Sequence, residues 1–167
     1  MISALFSDDA KYRHWLKAEL DNTSPYTLTA FMLNPSVAGS ISHGVVRSNP
    51  TVTRMCRRAH PTYGRLYVVN LFGLVSTYPK HLYAAADPVG PNNDDHIRNI
   101  LSQSSDVVVA WGPNGKFLGR DYKCLNMIYD AGRIPLCLGL TQDGFPKHPL
   151  HIAYAVPFQP YRGRFAR

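Results

Sequence analysis

Residues 27–39, TLTAFMLNPSVAG, combine an apolar run with an abrupt polar turn. Leu28 to Leu33 suit a buried strand, and Asn34, Pro35 and Ser36 then end it. Proline stops a central strand because it cannot donate a hydrogen bond to its neighbour. A turn alone would not need an asparagine at position 34, which directs attention to the end of this strand.

Four apolar runs lack a clean apolar–polar alternation, which is typical of parallel strands covered on both faces. They are TLTAFML (27–33), RLYVVNLF (65–72), DVVVAWG (106–112) and IPLCLGL (134–140). Predicted helices lie at about 50–60, 80–86, 92–104 and 116–131. This alternation predicts an α/β fold, a three-layer α/β/α domain with a central, mainly parallel four-stranded sheet.

The segment DDAKYRHWLKAEL (8–20) is predicted to be a helix. Tyr12, Trp15, Leu16 and Leu20 follow helical spacing, and the acidic start suits the positive end of the helix dipole.

Length and charge indicate a single domain over residues 1–167 with a polyanionic partner. The chain is 45% hydrophobic, and 18 Lys and Arg against 11 Asp and Glu give a net charge of +7. Arg54, Arg57 and Arg58 cluster on one predicted helix, where they form either a solvated face or a phosphate-binding patch.

Cysteine usage and hydropathy indicate a cytoplasmic protein without a membrane partner. The three cysteines are scattered without a CxxC pair, no signal-peptide pattern opens the sequence, and no apolar run approaches the ~20 residues of a membrane span. We expect a monomer with no cofactor and no metal, because HxxH at His148 and His151 without paired cysteines is a weak zinc signal. WGPNGKF (111–117) fails the phosphate-loop pattern, which argues against nucleotide hydrolysis.

Polar residues stand at the ends of the predicted strands. Ligands of parallel sheets bind beyond the carboxyl ends of the strands. This rule predicts that Asn34, Asn70, Trp111 and the segment TQDGFPKHPLH, which holds His148 and His151, share one edge of the sheet. A buried amide such as Asn70 must find partners or cost roughly 1–3 kcal/mol, and a ligand could be that partner.

These motifs resemble two known families. A strand followed by LNPS, a second ending in VVNLF, a third ending in AWG and a late KHPLH loop resemble the uracil-DNA glycosylase superfamily, whose first motif contains Asp-Pro or Asn-Pro and whose last contains His-Pro-Ser. MLNPS, NLF, ADPVGPNND and HPL, within about residues 28–155, also resemble a bacterial and phage family known as a domain of unknown function.

The glycosylase resemblance implies roles for three residues. Asn34 would position the attacking water through its side-chain carbonyl, because an amide is no general base at neutral pH. His148 would donate a hydrogen bond to the pyrimidine O2 as negative charge develops there. Asn70 would bind the pyrimidine edge, and it could satisfy either uracil or cytosine by flipping its amide.

Departures from the superfamily pattern bear on substrate and on DNA contacts. Pro35 and Ser36 would lie beside the base, and Ser36 replaces a bulky tyrosine next to pyrimidine C5. An aromatic residue that stacks on the base is expected after the first motif, and in the segment SISHGVVRSNP (40–50) His43 is the one flat ring. Leu150 replaces a phosphate-binding serine, for which Lys147 and His151 could substitute.

The sequence thus predicts a DNA base glycosylase, a hydrolase that flips out and excises a pyrimidine from single- or double-stranded DNA. An open C5 side favours a C5-modified base, such as a hydroxymethylated or glycosylated cytosine of phage DNA, and a role in antiphage defence. Uracil excision in repair and a non-catalytic nucleic-acid-binding module remain the alternatives.

Overall fold

The computed structural model describes residues 1–36, 41–42, 45–46 and 49–167. Within these ranges the strands are β1 (Ile2–Phe6), β2 (Arg13–Glu19), β3 (Thr27–Met32), β4 (Ile41–Ser42), β5 (Val45–Val46), β6 (Arg65–Asn70), β7 (Asp106–Val109), β8 (Pro135–Cys137) and β9 (Gln159–Pro160). The helices are α1 (Pro50–Ala59), α2 (Pro79–Ala84), α3 (Asn93–Ser102) and α4 (Arg120–Asp130), with 3-10 segments at Pro113–Gly119 and Pro149–His151.

The main sheet has seven strands in the order β1-β2-β6-β3-β7-β8-β9, and β4 pairs with β5 separately. Its centre, β6-β3-β7-β8, is parallel and consists of the four predicted strands, which confirms their positions and direction. The predicted count of four is wrong, because β1 and β2 extend one edge and β9 the other, all in antiparallel pairing. The four helices lie near their predicted positions.

The predicted helix at 8–20 is also wrong, because this segment contains β2. Leu16 and Ala18 are buried on one face of the sheet while Trp15 packs on the other. Lys17 and Glu19 form an ion pair of 2.8 Å. Apolar residues on both faces of β2 imitate helical spacing, which explains the error.

A β-bulge interrupts β2 near its start. Leu5 of β1 pairs with Trp15, whereas the next residue, Phe6, pairs with Arg13. His14 is therefore an extra residue on β2. A bulge of this kind re-aims the side chains beyond it, and here the side chain beyond it is that of Arg13.

Helices cover both faces of the sheet. One core cluster includes Leu82 of α2, Ile97 of α3 and Leu125 of α4, and a second includes Val52 and Met55 of α1. Each face of the central strands is therefore buried, as their continuous apolar sequences require. Along the ranges that the structure describes, no helix has the length and apolarity needed to cross a membrane.

Candidate active site

A cavity of about 360 Å³ lies at the carboxyl ends of the central strands. This volume is at the lower end of the range for small-molecule sites. Asn34, which follows β3, and Asn70, the last residue of β6, both line it, as do Ser36, Trp111 and His148. The three residues with predicted chemical roles, Asn34, Asn70 and His148, thus share one cavity.

The amide of Asn34 is held by backbone carbonyls. Its Nδ2 donates to the carbonyl oxygen of Ser76 at 2.7 Å and to that of Pro35 at 3.1 Å. Because carbonyls only accept, these contacts fix the orientation of the amide. Its Oδ1 accepts no hydrogen bond from the residues that the structure describes, so Asn34 offers an acceptor at the cavity.

His148 supplies a neutral donor at the rim of the cavity. Its Nδ1 accepts a hydrogen bond from the backbone N–H of Leu150 at 3.3 Å, which places the proton of the neutral ring on Nε2. Although the residue is exposed at the surface, desolvation lowers the pKa of His148, and the nearby charge of His151 lowers it further. The imidazole is therefore neutral at neutral pH, with Nε2 as its donor.

Asn70 is held by an arginine that sequence analysis did not identify. Arg13 Nη2 donates to Asn70 Oδ1 at 3.2 Å, and both side chains are buried, with 3% and 1% exposure. A guanidinium has no acceptor atom, so the Asn70 carbonyl must face Arg13. Asn70 cannot flip while this contact lasts, and its Nδ2, which has no hydrogen-bond partner among the described residues, is the group left for a ligand.

Arg13 itself lines the cavity without a counter-ion. Its Nε and Nη1 have no hydrogen-bond partner and no carboxylate pairs with it in the described part of the chain. Burial lowers the pKa of Arg13 to about 10. The undescribed segments contain no Asp or Glu, so no acidic residue of this chain neutralises the guanidinium.

Trp111 is a second cavity residue with an unpartnered donor. It is 2% exposed, packs edge-on against Phe31, and its Nε1 has no partner among the described residues. Gly115 lies against the indole, and a Cβ at that position would come within 2.3 Å of Trp111 Cδ1. Trp111 is a candidate for the flat ring beside a base; the predicted stacking residue, His43, lies outside the described residues.

Ser36 connects the first motif to α1. Its Oγ accepts a hydrogen bond of 3.0 Å from Nδ2 of Asn49, the residue that caps the N-terminus of α1 through a contact to Val52 N. Ser36 lines the cavity with a small side chain. Pro35 is buried next to it, and its carbonyl accepts a bond from Ser76 N at 2.8 Å, but it is not among the residues that line the cavity.

The arginines of α1 hold the segment that carries His148. Arg54 donates to the carbonyl oxygens of Pro149 and Ile152 at 3.3 and 2.6 Å. Arg58 donates to those of Ile152, Ala153 and Val156, each at 2.8 Å. These contacts use hydrogen-bond donors that sequence analysis had assigned to DNA phosphates.

Arg57 differs from its two neighbours on α1. It is exposed, its guanidinium stacks over the ring of Tyr154 at 4.3 Å, and none of its donors has a hydrogen-bond partner among the described residues. Lys147 and His151 are also exposed and lie outside the cavity lining. Of the α1 arginines, Arg57 is therefore the one whose donors remain available to an external phosphate.

No curated protein and no solved structure matches the chain. A family model matches residues 13–150, a range that contains the described cavity lining from Arg13 to His148. The chain belongs to the family described as "Protein of unknown function (DUF1643)".

Proposed function

We propose that the protein is a DNA N-glycosylase that extrudes a pyrimidine and hydrolyses its bond to deoxyribose, leaving an abasic site. The preferred base is a C5-modified cytosine, hydroxymethylated or glycosylated, which would suit a role in antiphage defence. The observation that carries the proposal is the meeting of Asn34, Asn70 and His148 around one cavity.

Each of these side chains offers the atom that the reaction needs. Asn34 Oδ1 can accept a hydrogen bond from the attacking water, and His148 Nε2–H can donate to a carbonyl oxygen of the leaving base. The transition state resembles an oxocarbenium ion with a departing anion, so positioned donors and acceptors can provide most of the acceleration. The parallel strands β6-β3-β7-β8, with the motif residues after their ends, support the proposed kinship with uracil-DNA glycosylases.

One observation favours the alternative of a binding module without catalysis. The cavity lining in the described ranges contains no carboxylate, and the undescribed segments contain no Asp or Glu. Water activation would therefore depend on Asn34, which can orient a water but cannot take its proton at neutral pH. An excision assay decides between the two functions.

The test uses duplex and single-stranded oligonucleotides that carry one uracil, cytosine, 5-hydroxymethylcytosine or glucosylated 5-hydroxymethylcytosine. Cleavage after alkali reports abasic sites. We expect excision of the modified cytosines, and about 100-fold or greater losses of rate in Asn34→Ala and His148→Ala with DNA affinity retained. His60→Ala, which removes a histidine outside the cavity lining, is the matched control and should keep full activity.

The absence of abasic sites on every substrate, with DNA binding intact, would favour the binding module. Excision of uracil alone would favour a repair enzyme. Equal losses of affinity and excision in Asn34→Ala and His148→Ala would assign these residues a structural role instead.

A further inference from the structure

Several side chains that line the cavity carry buried donors. Four nitrogen atoms without a hydrogen-bond partner in the described residues belong to cavity-lining side chains: Arg13 Nε and Nη1, Asn70 Nδ2 and Trp111 Nε1. All four carry protons, and none can accept a hydrogen bond. A ligand that satisfies them must present acceptors.

The charge of Arg13 restricts the class of ligand further. A buried guanidinium without a partner is costly, and its natural complement carries negative charge. A second buried arginine of the same chain, Arg120, shows the ordinary arrangement. Its Nη2 donates to Asp94 at 2.7 Å, and its Nε donates to the Leu71 carbonyl at 2.8 Å. Arg13 is as deeply buried as Arg120, but no carboxylate pairs with it in the described part of the chain.

We propose that Arg13, together with Asn70 Nδ2, forms a subsite for an anionic pyrimidine edge that presents hydrogen-bond acceptors. This inference deepens the proposed function and rests on it for the identity of the natural ligand, the pyrimidine anion that leaves in the reaction. Arg13 then contacts the leaving base directly, and it also fixes the Asn70 amide in the donating orientation.

The bond between C1′ and the pyrimidine N1 breaks, and its electron pair stays on the base, where it spreads over the ring nitrogens and the exocyclic O2. C1′ forms a bond to the oxygen of the water at Asn34, and that water loses a proton to solvent. Arg13 keeps its own proton throughout, and its charge stabilises the negative charge that develops on the base.

Binding of free bases tests the subsite without any excision. The probes are barbiturate, a carbonyl-rich pyrimidine that is an anion at neutral pH, and uracil, which is neutral there. Isothermal titration calorimetry should show tighter binding of barbiturate by wild type. Arg13→Met should weaken barbiturate binding by about 10- to 100-fold, the range for losing a hydrogen bond to a charged group, and should affect uracil much less.

Two further variants separate charge at the subsite from other effects. Asn70→Asp places a carboxylate next to Arg13 and should abolish the preference for barbiturate while the guanidinium remains. Arg98→Met removes the same net charge from the exposed surface of α3, where Arg98 pairs with Asp95, and should leave barbiturate binding unchanged. Circular dichroism of each variant verifies that it is folded.

The outcomes distinguish this inference from the proposed function. Barbiturate binding that depends on Arg13, combined with a failed excision assay, would keep the anion subsite and reject the glycosylase. Active excision combined with equal affinity of wild type and Arg13→Met for barbiturate would reject the subsite alone. A barbiturate affinity no tighter than that for uracil in wild type would also reject it.

Discussion

Replacing Arg13 by methionine should stabilise the protein while removing its proposed ligand contact. A depression of the Arg13 pKa from 12.5 to about 10 corresponds to roughly 3 kcal/mol against the charged form in the folded state. Below a pH of about 10, Arg13 is charged in both the folded and the unfolded state, so this penalty is fully present at neutral pH. Methionine keeps an unbranched, flexible side chain and has no donor to leave unsatisfied.

The substitution also has a cost. It removes the single hydrogen bond of 3.2 Å between Arg13 and Asn70 and leaves Asn70 Oδ1 without that donor, a loss of about 1–2 kcal/mol. The free energy of unfolding should therefore rise by about 1–2 kcal/mol. For a domain of this size that is an increase in Tm of roughly 2–8 °C.

Thermal unfolding at neutral pH without added ligand measures the effect, and Arg120→Met is the matched comparison. Arg120 is equally buried but pairs with Asp94, so its loss should lower stability by about 2–4 kcal/mol. A fall in Tm for Arg13→Met that equals the fall for Arg120→Met would refute the reasoning, because Arg13 would then be a structural residue.

The remaining predictions concern DNA binding, substrate size and pH. Arg57→Ala should reduce the slope of log DNA affinity against log salt concentration by about 1 without changing Tm. Arg58→Ala should lower Tm because three backbone carbonyls lose their donor. Equal Tm values of the two variants would contradict this. Ser36→Tyr should abolish excision of glucosylated cytosine and spare any excision of uracil, and a loss of both in gel assays would count against an open C5 side. Burial lowers the pKa of His14 below 6.5, and the charge of His96 lowers it further. The rings of these two histidines stack at 4.1 Å. The unfolded chain therefore binds more protons as the pH falls below about 6.5, so stability should decrease there, and His14→Phe should flatten that decrease in chemical unfolding.

The parallel centre of the sheet was predictable because its strands are buried on both faces. Continuous apolar runs such as RLYVVNLF are typical of parallel strands that are covered on both faces. Helix α1 was equally visible, since Asn49 and Pro50 mark its beginning. The edge strands were not predictable in the same way. β2 carries apolar side chains on both faces and contains a bulge, so no simple period describes it.

Part of the candidate site followed from chemistry at strand ends. Asn34, Asn70 and His148 interrupt or follow apolar strands, and the parallel topology brings such positions to one edge. Arg13 could not be found this way, because it reaches Asn70 through the pairing of β2 with β6, across 57 residues of sequence. The predicted helix at 8–20 contained Arg13, and an arginine within a helix required no explanation.

The arginines of α1 show that a role predicted from charge alone can differ from the contacts in the structure. A cluster of positive charge in the sequence predicts a phosphate surface, but the sequence does not show which backbone carbonyls lie nearby. Arg54 and Arg58 lie against the segment 149–156, whose carbonyls accept their hydrogen bonds. Their charge still contributes to attraction of DNA over distance, although their donors are used within the protein.

The bulge at His14 makes chain length a determinant of the cavity. A bulge re-aims the side chains beyond it, so the loss of one residue between Arg13 and Leu16 would remove the bulge and the direction that it gives to the guanidinium. The cavity would lose its cation although every residue type around it stayed the same. In an alignment of related chains, a one-residue gap at this position would therefore mark a change of ligand preference and not a neutral variation in length.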